Sequence, residues 1–226
     1  MEKLFSVAID GPSGAGKSSI AKAIAEKFGF IYVDTGAIYR TVGLYAQQAG
    51  LDSKDTAGII ASLPNIRIDI GYDENGSQMM LLNGVNVSRE IRTPRSSIYA
   101  SDVSAIPEVR DFLMDMQRSM AVTHSVVMDG RDIGTVVLPG ADVKIFLTAS
   151  AEMRASRRLA ELLEKGTDTD YESVLRDIRY RDEQDSSRET APLHPAEDSV
   201  VVDSTQLSLE EAIAAVSAIV AEKTGL

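Results

Sequence analysis

Cysteine and tryptophan are absent from this 226-residue chain, histidine occurs twice, and aromatic residues make up only 5% of it. Without cysteine there is no disulfide framework and no thiolate chemistry, and nothing points outside a reducing compartment. No segment approaches the roughly 18 apolar residues that suggest a membrane span. The opening Met-Glu-Lys-Leu-Phe-Ser-Val-Ala-Ile-Asp has too short an apolar run for a signal peptide and reads instead as a first strand. These absences lead to the expectation of a soluble cytoplasmic protein.

Positive charge is also in deficit. The net charge of −11 argues against a nucleic-acid polymer as the main partner, because phosphate backbones reward a basic surface. The basic residues that remain are unevenly spread: 15 are arginine and 8 lysine, and 13 of the arginines lie between Arg89 and Arg188. Arginine presents a planar fork suited to pairs of phosphate oxygens, whereas lysine is a point charge. Composition alone would make these arginines surface salt bridges.

The chain length suits one large domain or a core with an inserted subdomain, and the 44% hydrophobic content supplies a core. Apolar runs at 4–10, 30–34, 125–129, 143–147 and 199–203 lack clear alternation, as expected of strands covered on both faces. Four of the five end in Asp, which places carboxylates along the C-terminal edge where open parallel sheets bind ligands. Amphipathic segments at 17–28, 107–122, 152–165, 171–188 and 209–223 fall between them. The pattern predicts an α/β fold, a five-stranded parallel sheet with helices on both faces.

One stretch breaks this rhythm. In "NIRIDIGYDENGSQMMLLNGVNVS", apolar residues alternate through Ile66, Ile68, Ile70 and Tyr72, and Asn75-Gly76 and Asn83-Gly84 supply hairpin turns. A small three-stranded antiparallel insert over about 63–91 is expected within a single domain spanning 1–226, whose core is 1–62 and 92–226.

Gly11-Pro12-Ser13-Gly14-Ala15-Gly16-Lys17-Ser18 matches the phosphate-binding G-x-x-x-x-G-K-[ST] pattern, between a strand and a helix. Its backbone N–H groups and the helix N-terminus cradle phosphate oxygens. Lys17, expected on a solvated loop, reaches the β- and γ-phosphates, and the Ser18 hydroxyl holds Mg²⁺. This loop does not separate kinases from switches or motors. The guanine-reading N-K-x-D is absent, since no Asn precedes Lys, and there is no long insert for a motor's partner. A small-molecule kinase leads.

Three further constellations stand out. "YVDTGAIYR" places Thr35, Tyr39 and Arg40 at a strand-to-helix transition, a helical turn apart; a Thr35 N-cap on an ordinary amphipathic helix explains it equally well. "VVMDGRDIGT" sets Asp129 where such proteins keep the carboxylate that orients Mg²⁺ or its waters, followed by Arg131 and Asp132 in a glycine-flanked turn. Arg154, Arg157 and Arg158 share one helical face, with Ala155, Leu159, Leu162 and Leu163 on the buried one, and Arg181, Asp185 and Arg188 share another. An exposed ladder of i,i+4 ion pairs predicts the same spacing. Between these helices "EKGTDTDYES" is polar, as expected of a mobile lid over about 154–170. An alcohol acceptor needs a general base, whereas an acceptor phosphate is already an anion and needs its charge neutralised. Many arginines and two histidines fit a phosphate acceptor.

Taken together, "IDGPSGAGKSS", "DTGAIYR", "DGRDIGTVVLPGADVKIFL", "RDEQDSSRETAPL" and "DST" resemble the bacterial cytidylate kinases over essentially the whole chain. The resemblance implies transfer of the ATP γ-phosphate to CMP or dCMP, with Mg²⁺, by a monomer. It implies that Gly11 to Ser19 bind the ATP phosphates and that Arg154, Arg157 and Arg158 belong to the lid side over the donor. Thr35 and Tyr39 line the acceptor site, and Arg40, Arg131 and Arg188 hold the CMP phosphate. Ser101, Arg110 and Asp132 read the cytosine, and Arg181 and Asp185 stand near the ribose. Lys17, Asp129, Arg131 and Arg188 carry catalysis, with Asp129 reaching the metal through water. A carboxylate accepting from the cytosine amino group disfavours uracil, which presents a carbonyl there. Another small P-loop kinase, for a different nucleoside monophosphate or an alcohol, and a nucleotide-dependent switch or binding module remain the alternatives.

Overall fold

The computed structural model describes residues 3–74, 76–164 and 166–226. Met1, Glu2, Asn75 of the first expected turn pair and Lys165 at the expected helix end lie outside the described residues. The chain starts with β1 (Ser6–Asp10), α1 (Lys17–Phe28), β2 (Ile31–Asp34), α2 (Thr35–Gln48) and α3 (Thr56–Ser62). Next come β3 (Ile68–Tyr72), β4 (Gln78–Leu82), β5 (Val85–Asn86), α4 (Pro94–Ser104) and α5 (Pro107–Thr123). The last third holds β6 (Val126–Gly130), a π-type turn (Ile133–Val137), β7 (Val143–Thr148), α6 (Ala151–Glu164), α7 (Tyr171–Ser187), β8 (Val200–Asp203) and α8 (Leu209–Thr224).

Two sheets result: a five-stranded parallel one in the order β2-β6-β1-β7-β8, and an antiparallel β3-β4-β5. The described residues divide into two compact units, those of Met1–Tyr32 with Ala121–Leu226 and those of Val33–Met120.

In the first unit, Val7 sits in register with Val127 on one side and Val143 on the other, and Ile9 with Asp129 and Ile145. Val7, Ile9, Val127, Ile145 and Leu147 pack with Ile20 and Ile24 of α1 and Val216 and Val220 of α8. Each such fully buried branched side chain contributes ~1.5–3 kcal/mol. The adjacent β1 residue Ala8 is as fully buried as Val7 and Ile9, so this strand is covered on both faces and its sequence does not alternate. α8 starts with a reciprocal capping box between Ser208 and Glu211. Ala155 and Leu162 of α6 form a smaller core with Val174, Leu175 and Ile178 of α7. Leu163, expected on that buried face, is instead 54% exposed, because Ala155, Leu159 and Leu162 already complete a narrow stripe and Leu163 lies about 100° around the helix from Leu162.

In the second unit, Ile38 and Val42 of α2, Tyr99 and Val103 of α4, Val109 and Leu113 of α5, and Met80 and Leu82 of β4 form one core. The β4–β5 connection is a two-residue turn with Asn83 at φ 50° and Gly84 at φ 83°, the positive pair that a primed hairpin turn requires. At the start of α2 the cap is Asp34, not Thr35: the Asp34 carboxylate accepts the Ala37 N–H at 2.8 Å, and Thr35 is the first helical residue.

Candidate active site

The phosphate loop follows β1 directly. Gly11 has φ 149°, and a Cβ there would stand 1.9 Å from the Leu147 carbonyl oxygen, so only glycine fits. Gly16, at φ 91°, turns the chain into α1. Lys17 is the first residue of that helix and is buried, 6% exposed, rather than solvated. Its ammonium donates to the Pro12 carbonyl at 2.8 Å. Burial, with Arg131 second, pulls the Lys17 pKa well below its usual value against the attraction of Asp129 and Asp185.

The four strand-end carboxylates have separate uses. Asp129 accepts the Ser18 hydroxyl at 2.8 Å on one oxygen and the Tyr32 hydroxyl at 2.9 Å on the other. Asp10 instead receives the backbone N–H groups of Ile133 and Gly134 at 2.8 and 2.7 Å, anchoring the turn just after Asp132. Burial raises the Asp10 pKa to about 6 in spite of those two bonds. Asp34 caps α2 and pairs with Arg40, while exposed Asp203 holds Thr205.

Arg131, Arg154 and Arg188 form long-range pairs in place of the exposed i,i+4 ladder that the same spacing also predicts. Arg131 Nε meets Asp185 at 2.6 Å, and Arg188 meets Asp132 at 3.3 Å with both side chains buried. Arg188 is not on the α7 face; it caps the helix in extended backbone and donates to the Ala191 carbonyl at 2.6 Å. Arg154 is buried and clasps Asp182 with two nitrogens at 2.9 and 2.6 Å, while also donating to the carbonyls of Ala149 and Ser13. Arg157 points to Ser204 and the Leu207 carbonyl, and Arg158 to Glu161. Arg181 contributes its charge near Lys17 and Asp185.

The second unit gathers another set. Arg40 Nη2 bonds Asp34 at 2.8 Å, and its Nε is a buried donor with no hydrogen-bond partner among the described residues. The Arg110 guanidinium lies 5.8 Å from the Tyr39 ring centroid and donates to the Ser104 carbonyl, one turn beyond buried Ser101. Thr35 is buried at the head of α2.

A loop shaped for phosphates and a hydroxyl beside a carboxylate lie in the first unit, and each unit holds a buried guanidinium group, Arg154 in the first and Arg110 in the second. The Cytidylate kinase family profile matches residues 7–222. The chain belongs to the cytidylate kinase family. It is 51% identical over 211 residues to the cytidylate kinase of Caldicellulosiruptor saccharolyticus, covering 93% of each chain. It is 49% identical to that of Carboxydothermus hydrogenoformans, covering 96% of this chain and 97% of the relative. A crystal structure of an uncharacterized protein from Eubacterium ventriosum shares the fold, with a TM-score of 0.51 and 12% identity over 99% of this chain and 100% of the other.

In this family member, three residues were not singled out by sequence reasoning. Tyr32 and Asp182 are polar partners whose roles depend on residues about 97 and 28 positions away. Gln78 had a signal: it occupies the inward position of a strand otherwise filled by Met80 and Leu82.

Proposed function

We propose that the protein transfers the γ-phosphate of ATP to CMP or dCMP, giving CDP or dCDP and ADP. The observation that carries this reading is Ser18 beside Asp129 under a phosphate loop, in a chain that belongs to the cytidylate kinase family. Gly11 to Ser19 bind the donor phosphates through backbone N–H groups, with Lys17 on the β- and γ-oxygens. Hydroxyl and carboxylate oxygens are hard donors, so Ser18, and Asp129 through water, fit Mg²⁺. When bound, the ion supplies neutralisation of charge on the phosphate oxygens.

Arg40, Arg131 and Arg188 take the acceptor phosphate. For Arg40 the support is its orphaned buried Nε, a donor without an acceptor. Because that phosphate is already ionised, no general base is assigned. Asp132, Arg110 and Ser101 read cytosine, with the Asp132 carboxylate accepting from the exocyclic amine. Thr35 and Tyr39 line the acceptor site, and Arg181 and Asp185 stand near the ribose. Residues 154–170 form the lid, and Arg154, Arg157 and Arg158 belong to its donor side, Arg154 bonding the Ser13 carbonyl of the phosphate loop. Residues 63–91 form the nucleoside monophosphate insert.

Among the described residues no helix is long and apolar enough to cross a membrane. We place the enzyme in the cytoplasm as a monomer with no nucleic-acid or membrane partner.

A coupled ADP-release assay with CMP, dCMP, UMP, AMP, GMP and shikimate tests the reading. Turnover dependent on CMP and dCMP is expected. ATP binding without acceptor-dependent turnover would overturn it in favour of a binding module.

A further inference from the structure

Strand β4 presents Gln78, Met80 and Leu82 inward, since alternate residues of a strand share a face. Met80 and Leu82 are 1% and 4% exposed in the apolar core of the second unit, yet Gln78, at 8%, carries an amide. A buried amide is costly unless its groups are bonded. Here it is bonded at both ends to one residue. Gln78 Oε1 accepts the Asp34 N–H at 2.8 Å, and its Nε2 donates to the Asp34 carbonyl at 3.3 Å and to the Met80 sulfur.

The amide thus grips the backbone of Asp34 as a neighbouring strand would, although Gln78 is 44 residues away. Asp34 in turn divides its carboxylate between the Ala37 N–H and Arg40 Nη2, both at 2.8 Å. That second bond ties down one terminal nitrogen of a guanidinium whose buried Nε has no partner among the described residues. The chain of contacts runs from the insert through one backbone unit to one arginine.

We propose that Gln78 is a positioning residue of the acceptor site, fixing Asp34 so that the Arg40 guanidinium is held with Nε aimed at the acceptor phosphate. This assignment rests on the CMP kinase reading. It gives the antiparallel insert a part in acceptor binding through a single amide side chain.

The test uses the full-length protein and Gln78→Met, which conserves volume and removes both bonds. KM for CMP should rise about tenfold, with KM for ATP and the melting temperature little changed. An unchanged KM for CMP, or an equal rise in KM for ATP, overturns the assignment. In an Arg40→Lys background Gln78→Met should have little further effect on KM for CMP, whereas full additivity would show that Gln78 does not act through Arg40. Should Gln78→Met fail to fold, Gln78→Glu keeps the acceptor for the Asp34 N–H and loses the donor, and an intermediate rise is expected. If the wild type does not use CMP, the functional reading falls, and amide exchange at Ala37 still decides the role of Gln78. Exchange about tenfold faster in the variant supports it, and unchanged exchange overturns it.

Discussion

Arg131 donates its Nε–H to Asp185 at 2.6 Å, joining the turn after β6 to the last part of α7. Burial alone would raise the Asp185 pKa, but Arg131, with Arg181 and Arg188 behind it, holds the carboxyl below its usual range. For Arg131, burial pulls down and Asp185 overrides it, so the guanidinium is held more firmly charged.

Removing Asp185 therefore leaves a largely buried cation unpaired. Asp185→Ala should destabilise the fold by about 3–5 kcal/mol, and the double variant Arg131→Met, Asp185→Leu by less, as urea unfolding at pH 7 would measure. The sign with pH follows from a depressed carboxyl: its contribution is present above the ordinary Asp value and is lost as pH falls below about 4. The difference between wild type and Asp185→Ala should shrink in that range.

Lys17 leads to the opposite expectation for stability. Its charge is disfavoured mainly by burial, so Lys17→Met should melt at the same temperature as the wild type or higher at pH 7. A depressed lysine pKa means that the wild type gains stability relative to this variant as pH rises through the folded pKa. On the role proposed for Lys17, phosphoryl transfer should nevertheless fall by about 10²- to 10³-fold, the loss expected when one donor aimed at developing charge is removed. Thermal melts and the coupled assay on the same preparation separate the two effects.

The sheet and the phosphate loop were legible because local signals decide them. Buried parallel strands show as short unbroken apolar runs, and each of the five falls within about two residues of its expected place. The Asn83-Gly84 turn was legible for the same reason, its positive φ angles being a demand on two adjacent residues. The partners of the arginines were not. Periodicity shows that Arg181, Asp185 and Arg188 lie 4 and 3 apart, but not that Asp185 turns to Arg131, 54 residues away. Nor does it show that Arg188 has left the helix. The burial of Lys17 was hidden because a lysine in a glycine-rich loop reads as solvated until the loop's own fold is known. Asp10 looked like a ligand-facing carboxylate, yet it serves two backbone amides of a turn more than 120 residues on.

That use of Asp10 makes a pH prediction. Its folded pKa of about 6 lies above the unfolded 3.8, so the native state holds an extra proton between those values. The stability it contributes is complete below the unfolded value and is lost as pH rises through about 6, a difference of ~3 kcal/mol. Asp10→Asn keeps one acceptor for the turn, loses the other, and does not titrate. Its unfolding free energy should therefore lie furthest below that of the wild type near pH 4 and approach it by pH 7.5. A constant difference across that range would show that Asp10 is ionised throughout.

Asp182 gives the last prediction. Its carboxylate takes both terminal nitrogens of Arg154, and one of these also donates to the Ser13 carbonyl inside the phosphate loop at 2.9 Å. The fork is bidentate, so Asp182 fixes the plane of the guanidinium and, through it, the loop's backbone. Asp182→Ala frees that plane while leaving the glycines and Lys17 in place. KM for ATP should rise about fivefold to tenfold, with a stability loss of about 1–3 kcal/mol, because a charge-assisted pair is lost from a site only partly open to water. KM for CMP should move less. Arg154→Lys should behave like Asp182→Ala, since a lysine cannot span both carboxylate oxygens and the Ser13 carbonyl at once. Initial-rate kinetics with each nucleotide varied at saturating levels of the other would distinguish this from a general loss of fold, which would depress turnover with both substrates alike.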